Sequence, residues 1–212
     1  MTETTHNPYN IITGLSTGEY EEKKSRFIAY LSPVATESDA SDFIASIKKK
    51  HYDAKHNCSA FILGPDAQFT RCSDDKEPSG TAGKPMLEVL QGAGLTDIVA
   101  VVTRYFGGVL LGTGGLVRAY SQAVKNALSN ASIATVTFCA DLSITVDYSL
   151  VNTFMYYFEN NNIRLLDTTY AENVTFLVRT AGVNATQVQD AFTKLSLGKA
   201  RIITVSEGYY PL

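Results

Sequence analysis

The chain is short of the features that mark secreted, membrane-bound or strongly charged proteins. Its 212 residues include three cysteines. Cys58, Cys72 and Cys139 cannot all pair and show no paired spacing, so a disulfide scaffold is excluded and a reducing compartment, the cytoplasm, is expected. No apolar run approaches the roughly 20 residues of a membrane span. The N-terminal stretch MTETTHNPYN has neither a basic start nor an apolar core, which argues against a signal peptide. A basic excess is missing as well. The net charge is −3, and residues 1–135 carry 13 Lys and Arg against 14 Asp and Glu. That balance weighs against strong nonspecific binding to nucleic acid, although Lys23, Lys24, Arg26, Lys48, Lys49, Lys50 and Lys55 could form a local patch.

What is present is ordinary globular material. Hydrophobic residues make up 45% and charged ones 18%, enough apolar content to exclude disorder. The most informative stretch runs from Ile98 to Ala127. Ile98 to Val102 is an unbroken apolar run with the β-branched density of a strand covered on both faces. Arg104-Tyr105-Phe106 follow, and glycines then crowd residues 107–115. From Leu116 onward Ala119, Tyr120, Ala123, Val124 and Ala127 recur at helical spacing. A strand, a glycine loop and a helix N-terminus together can hold an anion or a close-packed backbone. Neither nucleotide fingerprint fits. Val117 stands where the third glycine of a dinucleotide loop belongs, and around Gly80 to Pro85 prolines replace the first glycine and the metal-holding hydroxyl of a P-loop.

Two alternations of pattern follow from the rest. A hairpin is expected from Gly14 to Ser32 with its turn at Glu21 to Lys24. A helix capped by Ser38 or Asp39 should run to Lys50. Strands are expected at Cys58–Leu63 and Gln68–Cys72, and a helix at Pro85–Gly92. From Thr135 the order strand, helix, two strands, helix, strand is expected, with the last strand over Ala200–Ser206, in the βαββαβ arrangement of the ferredoxin-like split motif. The fold class is α+β, with a mixed or antiparallel sheet in the first part.

Ser73-Asp74-Asp75-Lys76-Glu77-Pro78-Ser79-Gly80-Thr81-Ala82-Gly83-Lys84-Pro85 and Arg104-Tyr105-Phe106-Gly107-Gly108 with Leu111 to Tyr120 resemble the IMPACT family in its bacterial YigZ-type form. Lys23 to Ile28 and Asp53 to Cys58 fit two earlier blocks of that family. The acidic block departs from the family's SDDGEP, because Lys76 stands in place of the glycine. The resemblance implies an N-terminal domain over residues 1–134 with the ribosomal-protein-type α/β fold that also forms domain IV of elongation factor G. It implies a ferredoxin-like C-terminal domain over residues 135–212. It further implies a binding or regulatory protein of translation, with the ribosome, RNA or a translation-control protein as partner. No cofactor is assigned, and the lack of a long apolar run argues against a membrane.

Side-chain chemistry narrows the candidate site. Lys84, Arg104, Tyr105, Gly107, Gly108, Gly112, Gly114, Gly115 and Arg118 form a candidate anion or nucleic-acid surround. Strand alternation separates Tyr105 from Arg104 and Phe106. Asp74, Asp75 and Glu77 are a second candidate group, read as an exposed acidic turn in preference to a divalent-cation site. His51, His56, Cys58 and Cys72 match no zinc-ligand spacing, so no metal is assigned. No catalytic residue is assigned either. The alternatives are an enzyme acting on a phosphorylated or acidic small molecule in a glycine-loop pocket, and a protein–protein adaptor. On this reading Arg104→Ala and Arg118→Ala should weaken binding while leaving the fold intact.

Overall fold

Positions of alternating and of continuous apolar character resolve into two sheets in a computed structural model of the chain, which describes residues 7–181 and 185–211. The N-terminal hexapeptide, part of the stretch that argues against a signal peptide, lies outside the described residues. The chain divides into two compact units, one over Tyr9–Thr135 and the other made mainly of Val136–Leu212.

In the first unit β1 (Tyr9–Ile12) leads into a hairpin of β2 (Ser16–Glu22) and β3 (Ser25–Pro33). Lys23 and Lys24 both take positive φ in its two-residue turn, as a tight hairpin requires. Then come α1 (Glu37–Lys50), β4 (His56–Leu63), β5 (Phe69–Ser73), α2 (Gly83–Gly92), β6 (Ile98–Tyr105) and α3 (Gly112–Ser129). The sheet order is β2-β3-β6-β4-β5, and every pairing is antiparallel. The apolar run of β6 is covered on both faces. Ile98, Ala100 and Val102 meet Met86 and Leu90 of α2 and Leu116, Ala119 and Ala123 of α3. Val99 and Val101 pack with Ala40 and Ile47 of α1. A strand so placed gains nothing from polar alternation, which is why its sequence shows none.

The starts of all three helices of this unit differ from the sequence reading. The cap of α1 is Thr36, one residue ahead of the helix, which forms a reciprocal capping box with Asp39. Helix α2 starts at Gly83, two residues before Pro85, because the Asp74 carboxylate accepts hydrogen bonds from the Ala82 and Gly83 amides and supplies a cap from upstream. Helix α3 starts at Gly112, so Gly114 and Gly115 lie in its first turn and not in a free loop.

The second unit carries β7 (Ile133–Val146, whose first residues belong to the preceding unit), α4 (Val151–Asn160), β8 (Arg164–Tyr170), β9 (Val174–Ala181), α5 (Ala185–Leu195) and β10 (Arg201–Pro211). The order βαββαβ is as expected, with strands laid side by side as β10-β7-β9-β8, all antiparallel. Phe154 and Phe158 of α4, Phe192 of α5 and Phe176 of β9 interlock beneath the sheet. Strand β10 runs to Pro211, beyond the expected Ser206, because a bulge between Thr204 and Ser206 lets pairing with β7 continue.

Candidate functional site

The acidic block is turned inward, which corrects its reading as an exposed turn. Asp74 accepts hydrogen bonds from the amides of Gly80, Ala82 and Gly83 at 2.8–2.9 Å. Burial alone would raise its pKa, but those three donors outweigh it and hold the carboxyl below its ordinary value. Asp75 is held low in the same way: the Asn57 amide at 2.7 Å and the Lys48 ammonium at 3.1 Å overcome its burial. The two carboxylates thereby fasten the loop to β4, α1 and the start of α2.

Between them and Glu77 stands Lys76, with φ of +73°. That conformation suits the glycine found in the family's block and strains an L side chain by about 1–2 kcal/mol. Glycine would return about 0.4–1 kcal/mol through the entropy of the unfolded chain. Lys76→Gly is therefore expected to stabilise the protein by up to about 1 kcal/mol. A denaturant midpoint that moves down would contradict this.

Glu77 reaches the floor of the first unit. In the register of the sheet Arg104 on β6 lies between Phe27 on β3 and His56 on β4. Its guanidinium donates to Glu77 Oε1 at 2.7 Å, and the Tyr120 hydroxyl of α3 donates to the same oxygen at 2.8 Å. His56 Nε2 stands 4.0 Å from that oxygen, while His56 Nδ1 lies 3.0 Å from the Asp75 carbonyl. The Cys58 thiol lies 3.0 Å from the Asp74 carbonyl and 3.3 Å from the Tyr120 hydroxyl. Burial, reinforced by the nearby carboxylates, pushes that thiol up to about 12, and burial likewise raises Tyr120 far above an ordinary phenol. Both groups remain protonated donors at neutral pH, so Cys58 is no nucleophile. Arg104 is only 7% exposed and Glu77 8%. This is a buried ion pair, not a surface cation.

Beside the pair lies a cleft of about 490 Å³, walled by Asp53 to His56, from the turn after α1 to the first residue of β4, and by Arg104 to Phe106 and Leu110, from the end of β6 and the loop that follows it. The Arg104 guanidinium is flanked by Phe27 at 5.5 Å and Phe106 at 5.6 Å. Phe27 is fully buried, whereas Phe106 is 55% exposed. Arg104 Nε is buried and meets no hydrogen-bond acceptor among the described residues. Tyr105 points to the opposite face, as alternation requires. Its hydroxyl donates to Asp53 at 2.9 Å, so His51 Nδ1, also 2.9 Å away, must donate to it, leaving Nε2 to accept from Tyr30. Burial, with Lys50 nearby, lowers the pKa of His51 and favours this neutral tautomer.

The remaining candidates do not converge. Gly107 serves packing: a Cβ there would stand 2.0 Å from the Lys24 carbonyl carbon, and its amide donates to Ser25. Gly108 and Gly112 have positive φ and open surroundings, Gly114 is exposed, and Gly115 is buried in α3. Lys84 lies close enough to act on the Cys72 thiol, and Arg118 on the Tyr20 hydroxyl, and both cations are exposed. Arg118 is two residues from Tyr120 on α3, so the two side chains leave opposite sides of the helix. Thus Arg104, Tyr105 and Phe106 line the cleft, Glu77 stands behind it through its bond to Arg104, and Lys84 and Arg118 are not among its lining residues. Lys55, read from sequence only as part of a basic patch, His56, weighed only as a zinc ligand, and Tyr120 were not assigned to this site. The signal for His56 and Lys55 lay in the Asp53 to Cys58 block, and Tyr120 was indistinguishable from an ordinary core residue of α3. Among the described residues no three His, Cys, Asp or Glu side chains cluster to hold a metal ion.

Comparison with known proteins agrees with this architecture. The family model for the Impact N-terminal domain matches residues 23–128, and a domain of unknown function, DUF1949, matches residues 144–199. The chain is 39% identical to the IMPACT family member YvyE of Bacillus subtilis, over 92% of this chain and 90% of that one. It is 34% identical to the IMPACT family member YigZ of Escherichia coli, over 88% of this chain and 93% of that one. A crystal structure of a hypothetical protein superposes with a TM-score of 0.62 at 33% identity, covering 94% of this chain and 98% of the other. With the N-terminal family model spanning half of its length and relatives matched along most of it, the chain belongs to the IMPACT family.

Proposed function

We propose that the protein is a regulatory binding protein of the translation machinery that contacts RNA, free or in the ribosome, through the cleft at Arg104. The observation that carries this reading is Phe106: an aromatic ring more than half exposed, set against an arginine and facing Lys55 and His56 across the cleft. Exposed rings that lose little on stacking, beside cations that neutralise phosphate, are how single-stranded RNA is held without a broadly basic surface. The net charge of −3 fits local and not general attraction. Its three free cysteines suit the cytoplasm, and among the described residues no helix is long and apolar enough to cross a membrane.

Co-sedimentation with RNA and with ribosomes at two salt concentrations tests the reading. Phe106→Ala is expected to weaken binding about tenfold, since a stacked base contributes about 1–3 kcal/mol, with the melting temperature unchanged. Lys55→Ala should weaken it and flatten the salt dependence. Binding indifferent to both substitutions would end the proposal. An adaptor role is the second reading, favoured by the exposed Val109 and Leu110 beside Phe106. It would show as salt-independent capture of a protein partner.

A further inference from the structure

We propose that the cleft is an end-on subsite for one nucleotide bearing a phosphate monoester, with the phosphate on Lys55 and Arg104 Nε and the base on Phe106. This rests on the RNA-binding reading of the same cleft and narrows it to a terminal nucleotide. Three observations lead there. The volume of about 490 Å³ falls in the range of sites that enclose a small ligand, not a chain in passage. Arg104, the buried cation of the lining, is tied from behind to Glu77, which also accepts from Tyr120, so the cleft has a fixed and fully packed inner end.

The third observation is the donor itself. Arg104 is more than nine-tenths buried and fixed by Glu77, yet its Nε–H has no acceptor among the described residues. A buried donor without a partner is rare enough to require an explanation, and an absent anion is one. Of the two rings beside the guanidinium, Phe27 is fully buried and Phe106 is the one open to solvent, so Phe106 is the ring able to move. A ring that swings onto an arriving base uncovers Nε–H for the phosphate. Lys55, exposed on the facing wall, adds the charge that Glu77 cancels on Arg104. The ligand chemistry has two sources, the 5′ end of an RNA and a free mononucleotide.

Calorimetric titration of the whole protein with adenosine 5′-monophosphate, adenosine and inorganic phosphate tests the subsite. The monophosphate should bind at least about tenfold more tightly than adenosine, the value of one charge-assisted contact, and inorganic phosphate should bind weakly for lack of a base. Lys55→Ala and Phe106→Ala, both surface changes, should each weaken the monophosphate about tenfold. Equal affinity for monophosphate and adenosine, insensitivity to both variants, or no binding of any probe would overturn the proposal. One oligonucleotide carrying either a 5′-phosphate or a 5′-hydroxyl separates the sources. Preference for the phosphorylated RNA over the free monophosphate assigns an RNA end, and the reverse order assigns the mononucleotide. If both RNAs bind alike at the cleft, the terminal subsite is wrong while RNA binding stands. If only the monophosphate binds, the subsite stands and the RNA reading falls.

Discussion

Arg104→Ala is expected to lower the melting temperature by about 6–20 °C. The substitution leaves the Glu77 carboxylate buried, holding a single hydrogen bond from Tyr120 where it now also has an arginine at 2.7 Å. Removing one partner of a buried ion pair costs about 3–5 kcal/mol, and each kcal/mol moves the midpoint by about 2–4 °C for a chain of this size. Adding Glu77→Gln to the Arg104→Ala protein should recover much of the loss, because the uncompensated charge is then gone. Arg118→Ala, on an exposed side chain, should change stability by no more than about 0.5 kcal/mol. Thermal melts of the four proteins check this. An Arg104→Ala protein as stable as its parent would mean that Glu77 reaches water when Arg104 is absent. The expectation from sequence, that both arginines bind ligand and neither supports the fold, is thereby divided: Glu77 ties Arg104 into the fold through Nη1, and its proposed binding role rests on Nε, which has no acceptor among the described residues.

The glycines divide in the same way, with the second largest effect. Gly107→Ala should be severely destabilising, because the new Cβ would lie 2.0 Å from the Lys24 carbonyl carbon and 2.3 Å from the Ser25 nitrogen. Both are backbone atoms of the hairpin turn between β2 and β3, so relief requires that turn to move. Overpacking of this kind costs about 1–3 kcal/mol where side chains can adjust, and backbone contacts place Gly107 at or above the upper end. Gly114→Ala meets nothing within 4 Å, keeps a negative φ and lies in the first turn of α3. It should stabilise the protein by up to about 1 kcal/mol, the helix propensity difference between the two residues. Equal effects of the two substitutions on the denaturant midpoint would show that Gly107 is not held against the hairpin turn.

Local pattern carried well where one residue type has one use. The hairpin turn at Lys23-Lys24, the amphipathic α1 and the βαββαβ order were legible because alternation and helical spacing are properties of the chain itself. The caps show where legibility ends. Thr36 could be found by looking two residues upstream of Ser38, since its partner Asp39 is three positions away. Asp74 could not, since it caps α2 across a folded loop and nothing near Gly83 announces it. Two of the four recognisable motif blocks, Asp53 to Cys58 and the one that begins at Arg104, supply lining residues of the cleft, but no block shows how its side chains turn, so Asp74, Asp75 and Glu77 read as an exposed acidic turn when all three are bound to groups on other elements.

By itself the sequence determined the α+β class, the order of the principal elements from β2 onward, the burial of Ile98 to Val102 on both faces and the separation of Tyr105 from Arg104, because these follow from periodicities of 2 and 3.6 along one chain. Only the tertiary structure decided which charges meet. Glu77, Arg104 and Tyr120 are 27 and 43 residues apart along the chain. A carboxylate reads the same in sequence whether its counterion is water or a buried guanidinium. The packing of α3 against the sheet removes the water, and that desolvation turns three scattered polar residues into the packed inner end of a cleft.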